Sequence, residues 1–427
     1  MSKRLRTSVV FFALVFSALL YAQDAVQLSA VTDRPEALYH VGETARFDVA
    51  LKVGDSPAAE GQVECVLSND GEDLIERATV AVAEGRASIS GQLDHPGFLR
   101  CVVAFKGPDG KTYNTMAAAG YDPLEIKAGM DAPEDFDAFW AAKRAALDAV
   151  PMNPVLVPIE SPEDGVACFD LQADCLGGAP VSGYFARPVG AAPKSLPAIL
   201  FVHGAGVRSS ELHADYAVLG MLALDINAHG IPNGKPAEFY SELDKGALSD
   251  YRQRGREDRE ACYFLGMYLR LMRAMDFLTA QPEWNGADLF VIGSSQGGGQ
   301  AIVAAGLDMR VTAFAANVPA MCDHTGHING WPGLVPRDAD GKPDPKILEV
   351  SRYFDAVNFA RRTEAEALFT VGFIDDTCRP TSVYTAYNCL RGPKRILNNP
   401  LMKHAQAPGF WDEAKVMFQR HVEEKKP

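Results

Sequence analysis

The sequence holds no CxxC pair among its eight cysteines, few cations, and only one long apolar run. Each shortage excludes something. Without CxxC spacing, a zinc-ribbon or redox-motif reading has no ligands to start from. With 41 Lys+Arg against 55 Asp+Glu, the formal net charge is −14. A surface of that sign repels nucleic acid and anionic lipid, and favours neutral or cationic partners. The apolar run, residues 9–20, follows Lys3, Arg4 and Arg6 and ends in Tyr21 and Ala22. A short cationic head, an apolar middle and a small residue predict a secretory leader over residues 1–22. A retained anchor is the competing reading, but the run falls short of the roughly 20 apolar residues that a span needs. The expected chain is secreted or periplasmic, with no membrane span once the leader is removed. Losing three leader cations leaves 38 against 55, or −17. Export would permit disulfides. Cys65 and Cys101 fall on separate expected strands and could bridge. Cys168 and Cys175 are expected on one strand, where seven residues span about 23 Å, far beyond disulfide reach.

The length suggests about two domains. Residues 26–120 show short alternating runs broken by Asn69-Asp70-Gly71, Pro96-Gly97 and Gly107-Pro108-Asp109-Gly110. This pattern predicts a small all-β, Ig-like sandwich with a structural or orienting role, carbohydrate binding being the sharper alternative. After a connector at 123–132, Phe136, Phe139/Trp140, Lys143 and Leu147 follow helical spacing, with Pro133 and early acids at the amino end. Their aromatics read as core anchors. Over residues 125–425, strand-like and helix-like stretches alternate. A hairpin is expected at 166–176 and 181–187 around Gly177-Gly178-Ala179-Pro180. Apolar runs follow at 198–203, 221–227, 289–293, 313–319, 367–374 and 395–397. The fold class is α/β: a mostly parallel, doubly wound sheet of α/β-hydrolase type, preceded by the β sandwich.

Gly293-Ser294-Ser295-Gln296-Gly297 fits G-x-S-x-G. An apolar strand enters it, and a helix-like stretch rich in small residues, from Gln296 to about Leu307, leaves it. This is the setting of a nucleophile elbow, with Ser295 exposed at the apex. A serine needs a base and the base an orienting acid, in the chain order Ser, acid, His. His324, His327, His404 and His421 follow Ser295. His404 sits in the loop between the last strand and the last helix, where the base belongs, whereas His421 lies inside that helix. Asp375 ends a strand and is the expected acid, with Asp376 its immediate rival, Asp412 a distant one, and helix capping the bland alternative. The oxyanion hole is expected from the backbone N–H groups of Gln296 and Ala205, the latter in Gly204-Ala205-Gly206 after a strand. His203 precedes the serine and reads as loop support. Asp323-His324-Thr325-Gly326-His327 offers two His and an Asp, but no further well-placed ligand, so it reads as a loop over the site rather than a zinc centre. The expected chemistry uses no metal and no cofactor.

Four segments resemble the acetyl xylan esterase/cephalosporin C deacetylase family of carbohydrate esterases. They are Asp135-Phe136-Asp137-Ala138-Phe139-Trp140, Phe201-Val202-His203-Gly204, Gly293-Ser294-Ser295-Gln296-Gly297-Gly298-Gly299, and Gly372 to Pro380. The resemblance covers roughly residues 125–425. It implies removal of acetyl groups from small acetylated sugars by Ser295, Asp375 and His404, with the Ala205 and Gln296 amides as oxyanion hole. Small members form hexameric rings, so it also implies a homo-oligomer, which the added N-terminal domain would have to accommodate. Two departures matter: Ala205 stands where the family usually has Tyr, and Ala405 where an acid usually follows the histidine. Two other functions are weighed beside the esterase. A serine peptidase of oligopeptidase type would usually carry a much larger β domain. A catalytically silent sugar-binding protein would leave Ser295 inert to a fluorophosphonate.

Overall fold

The computed structural model describes residues 26–328, 331 and 334–424. The expected leader over residues 1–22 lies outside them. Among the described residues, no helix is long and apolar enough to cross a membrane.

Alternation builds the N-terminal β domain. Ala45–Val53 buries every second side chain over most of its length, as a strand with one face on a core must. It pairs with Val26–Thr32 and Arg86–Gly91 in one antiparallel layer. Through the Ala83–Arg86 pair the same sheet continues into Asp73–Ala83, Glu60–Asn69, Gly97–Lys106 and Thr112–Tyr121. Phe47, Leu67, Leu99 and Tyr121, from both halves of this sheet, are buried in one apolar core. Cys65 and Cys101 lie diagonally across one ladder, Cys101 opposite Leu67 and Cys65 opposite Val103. Both are buried free thiols.

The α/β domain is a nine-stranded sheet. Its order is Val155–Ile159, Val166–Ala173, Val181–Pro188, Leu222–Ile226, Leu196–Val202, Trp284–Ser294, Val311–Asn317, Glu366–Gly372 and Lys394–Asn399. The first three joins are antiparallel and the rest parallel. The central strands are apolar on both faces because both are covered. Ala198, Leu200 and Val202 face the helices Tyr263–Thr279 and Gln296–Leu307. Ile199 and Phe201 face Phe410–Glu423 on the other side. Phe136, Phe139, Trp140 and Leu147 of Phe136–Asp148 are buried core anchors. One expectation fails: Val166–Ala173 ends before Cys175, so the two cysteines do not share a strand. Gly177 and Gly178 both have positive φ, and the chain leaves the ladder early to make that turn.

The two domains share a core. Ala37, Phe98 and Ala118 of the β domain belong to the apolar cluster of the α/β domain. The Phe98 ring packs edge-on to Phe373 at 5.0 Å and against Tyr384 at 5.7 Å. Beside it lies a buried ion pair, Arg100 Nη2 to Asp70 Oδ1, at 2.6 Å. Asp70 therefore does more than make the expected turn: it has φ 46° and no exposed surface. Burial pushes its carboxyl up to about 6, against the pull of the Arg100 charge. Phe98→Ala should empty the centre of this seam and cost on the order of 3–5 kcal/mol. Urea titration checks it, and a loss below about 1 kcal/mol would show that the seam is not a packed core.

Candidate active site

Trp284–Ser294 rises through the middle of the sheet and reverses into the helix Gln296–Leu307 in a single residue. Ser295 occupies that turn with φ 57° and ψ −120°, a conformation that an L-residue keeps only under support from its surroundings. Its N–H donates to the Asn317 carbonyl at 2.8 Å. Its own carbonyl accepts from the N–H groups of Gly299 (3.0 Å) and Ala320 (2.9 Å). Gly297 makes the reversal sterically possible, since a Cβ there would collide with the Val202 carbonyl of the neighbouring strand.

His404 Nε2 lies 3.0 Å from Ser295 Oγ, and His404 Nδ1 lies 2.8 Å from Asp375 Oδ2. The carboxylate faces Nδ1, which fixes the proton on that nitrogen and leaves Nε2 to accept the serine hydroxyl. The other Asp375 oxygen accepts from the N–H groups of Thr377 (2.8 Å) and Cys378 (2.9 Å). Asp375 is fully buried, while His404 keeps 27% of its side chain exposed: the carboxylate is fixed and the imidazole is reachable. Gly372 lets the His404 loop come this close, because a Cβ there would strike the Met402 carbonyl. Asp376 is exposed and Asp412 lies in the first turn of the last helix. His421 bonds Glu366 at 3.0 Å.

The loop after Leu196–Val202 carries Ala205 at the surface, and Gln296 opens the helix. The first N–H groups of a helix have no acceptor in a preceding turn, so the Gln296 amide is available to an anion. Two imidazoles hold the Gly204–Gly206 loop. His203 Nδ1 is 2.6 Å from the Gly204 carbonyl, and its Nε2 accepts the Ala228 N–H at 3.1 Å. His229 Nε2 is 3.1 Å from the Gly206 carbonyl, with the Tyr263 hydroxyl 2.7 Å from Nδ1. Desolvation holds both neutral, pushing His203 down to about 3 and His229 to about 4. On the helix side, the Tyr251 hydroxyl donates to Gln296 Oε1 at 2.6 Å.

Sequence reasoning missed Asn317, the fully buried last residue of Val311–Asn317. Its Nδ2 donates to Ser294 Oγ at 2.6 Å, and its Oδ1 accepts from Thr370 Oγ1 (2.6 Å) and the Ala407 N–H (3.1 Å). One amide thereby ties the serine turn to the strand before Asp375 and to the His404 loop. An amide ending an otherwise apolar strand was the available signal. Cys378, fully buried on the Asp375 turn, is kept a neutral thiol by burial. The side chains of the 323–327 loop go separate ways. Asp323 accepts the Gly129 N–H at 3.1 Å, buried His324 faces the Ser351 carbonyl, and His327 meets Asp73 of the β domain at 2.7 Å.

The depressed histidines give a pH test. The unfolded chain protonates near pH 6.5 and the folded site does not, so their contribution is complete above 6.5 and shrinks as pH falls toward 3. His203→Asn should remove one such group, narrowing the stability gap to the parent chain by about 1–2 kcal/mol between pH 7 and 5. Denaturant midpoints at the two pH values measure it; an unchanged gap would mean His203 titrates normally when folded.

The acetyl xylan esterase (AXE1) family pattern matches residues 124–422. The acetyl esterase Axe7A of Xylanibacter ruminicola is 31% identical over 396 residues, covering 90% of this chain and 88% of that one. Among solved structures, an acetyl xylan esterase from Paenibacillus sp. is 26% identical at TM-score 0.61, covering 70% of this chain and 98% of that one. The fold also recurs in an acetyl xylan esterase from Thermoanaerobacterium sp., 22% identical at TM-score 0.60, with 70% and 97% covered. With its family pattern spanning the whole α/β domain, this chain belongs to the acetyl xylan esterase family and is a carboxylic ester hydrolase.

Proposed function

We propose that this chain removes O-acetyl and other short acyl groups from carbohydrates such as acetylated xylo-oligosaccharides, through an acyl-enzyme on Ser295. The observation that carries the reading is the continuous Ser295–His404–Asp375 relay, at 3.0 and 2.8 Å, in a member of an ester-hydrolase family. His404 Nε2 takes the hydroxyl proton as Ser295 Oγ attacks the ester carbonyl. The Ala205 and Gln296 N–H groups receive the oxyanion, where preorganised donors act with no reorganisation. Collapse breaks the bond to the sugar oxygen, which leaves as an alcohol with the proton from His404. Water then attacks the acyl-serine by the same base, releasing the carboxylic acid and restoring Ser295. Asp375 keeps its charge throughout and stabilises the imidazolium. Ala205, in place of an aromatic, leaves that wall of the site open, which suits a wider range of acetylated sugars. Residues 26–120 and 125–425 are taken as the two structural units, and the leader as the route of export to polymeric carbohydrate outside the cell.

Acetate release from acetylated xylo-oligosaccharides tests this directly. Ser295→Ala should lower turnover by at least about 10³-fold, since members of such a relay act as a unit. A fluorophosphonate should label the parent chain and not the variant. Equal acetate release by both would end the proposal.

A further inference from the structure

The β domain grips the segment that carries Asp375. Arg100, 4% exposed, donates from Nη2 to the Asp375 backbone carbonyl at 2.8 Å. The same nitrogen bonds Asp70 Oδ1. The other Asp70 oxygen accepts from Thr381 Oγ1 (2.7 Å) and the Thr381 N–H (3.2 Å) in the first turn of the helix Pro380–Cys389. Glu72 pairs with Arg379, and Phe98 packs on Phe373 and Tyr384. Contacts from the other domain thus fall on both sides of Asp375, and one falls on its own peptide.

The Asp375 carboxylate is aimed by the Thr377 and Cys378 N–H groups, which belong to this same segment. Their direction depends on how that turn is held. Within the α/β domain the turn leaves the sheet at Gly372. It is held there by the Phe373 N–H on the Asn399 carbonyl, by His404 on the Asp375 carboxylate and by the buried Phe373, Ile374 and Cys378 side chains. Among the described residues no α/β-domain hydrogen bond reaches the Asp375 carbonyl itself, and Arg100 takes that place. Arg100 and Asp70 supply charge-assisted bonds in a site closed to water, where such bonds are strongest. Both lie outside residues 124–422, the span of the family pattern.

We propose that Arg100 and Asp70 are positioning residues for ester hydrolysis: the β domain sets the Asp375 turn, and through it the orientation and basicity of His404. This rests on Asp375 serving as the acid of the relay.

The test uses the full chain. Arg100→Met should fold and lose on the order of 10–100-fold in kcat on acetylated xylo-oligosaccharides with KM little changed, because a displaced relay impairs chemistry rather than binding. A less well-placed carboxylate stabilises imidazolium less, so the acid limb of the kcat/KM profile should move to lower pH by about half a unit. Arg100→Lys, which keeps a charged donor, should recover part of both. Thr381→Val removes only the hydroxyl donor to Asp70 and should shift both readouts the same way by a smaller amount, about 3-fold in kcat. Thr381→Val decides the matter alone if Arg100→Met does not fold. A lower Tm with unchanged kcat and an unmoved acid limb in the folded variants would overturn the proposal. Asp375→Asn separates the two readings. If it stays active, the relay itself is wrong; if it is dead while the Arg100 and Thr381 variants are normal, only the positioning role fails.

Discussion

The backbone of Ser295 must pass from strand to helix in one residue, at φ 57° and ψ −120°. Such a conformation costs on the order of 1–3 kcal/mol and persists only where its surroundings over-determine it. Here the surroundings are the Asn317 carbonyl, the Gly299 and Ala320 amides, and the close approach of Gly297 to Val202. The neighbouring strands must therefore end level with Ser295, which places their loops around its hydroxyl. The Gly204–Gly206 loop follows one neighbouring strand, and Asn317 ends the other. Beyond Asn317, Glu366–Gly372 delivers Asp375. The geometry of the relay follows from the requirement to hold one strained turn.

That requirement explains which parts were legible in the sequence. The elbow is local, and its motif, strand and helix are contiguous, so Ser295 could be read directly. Asp375 and His404 could be read because chain order and loop position restrict the choice. Asp376 is told from Asp375 only in three dimensions, where the turn buries the Asp375 carboxylate against His404 and leaves Asp376 exposed. Asn317 was hidden because its role is to join three segments that are far apart in the chain. Asp70 was misread in emphasis: Asn-Asp-Gly spells a turn, and nothing local says that a second domain will close over it. The edge strand Val155–Ile159 escaped as well. It is mostly exposed, so it lacks the alternation by which a half-buried strand announces itself.

The two pinned imidazoles show why neutral histidine suits the Gly204–Gly206 loop. Each must donate to a loop carbonyl with one nitrogen and accept from the protein with the other. Only the neutral ring can do both. A lysine or arginine could donate but would bring positive charge and no acceptor, leaving the Ala228 N–H without its partner. Desolvation, which opposes protonation of His203 and His229, therefore maintains the hydrogen-bond pattern instead of merely costing stability.

The seam between the domains poses the opposite case, a full ion pair where apolar packing was available. Burying Asp70 and Arg100 removes two charges from water, and their attraction offsets that cost only in part; apolar replacements of equal volume are often neutral or better for stability. Phe98, packed on Phe373 and Tyr384, shows that this seam already contains an apolar contact able to hold the domains together. Stability alone does not account for the pair. What an apolar pair lacks is direction: it cannot donate to the Asp375 carbonyl or accept from Thr381. The pair is thus better explained by the three bonds it makes across the seam than by the one it makes within itself: one ends on the Asp375 carbonyl and two on Thr381, in the first turn of the helix that follows.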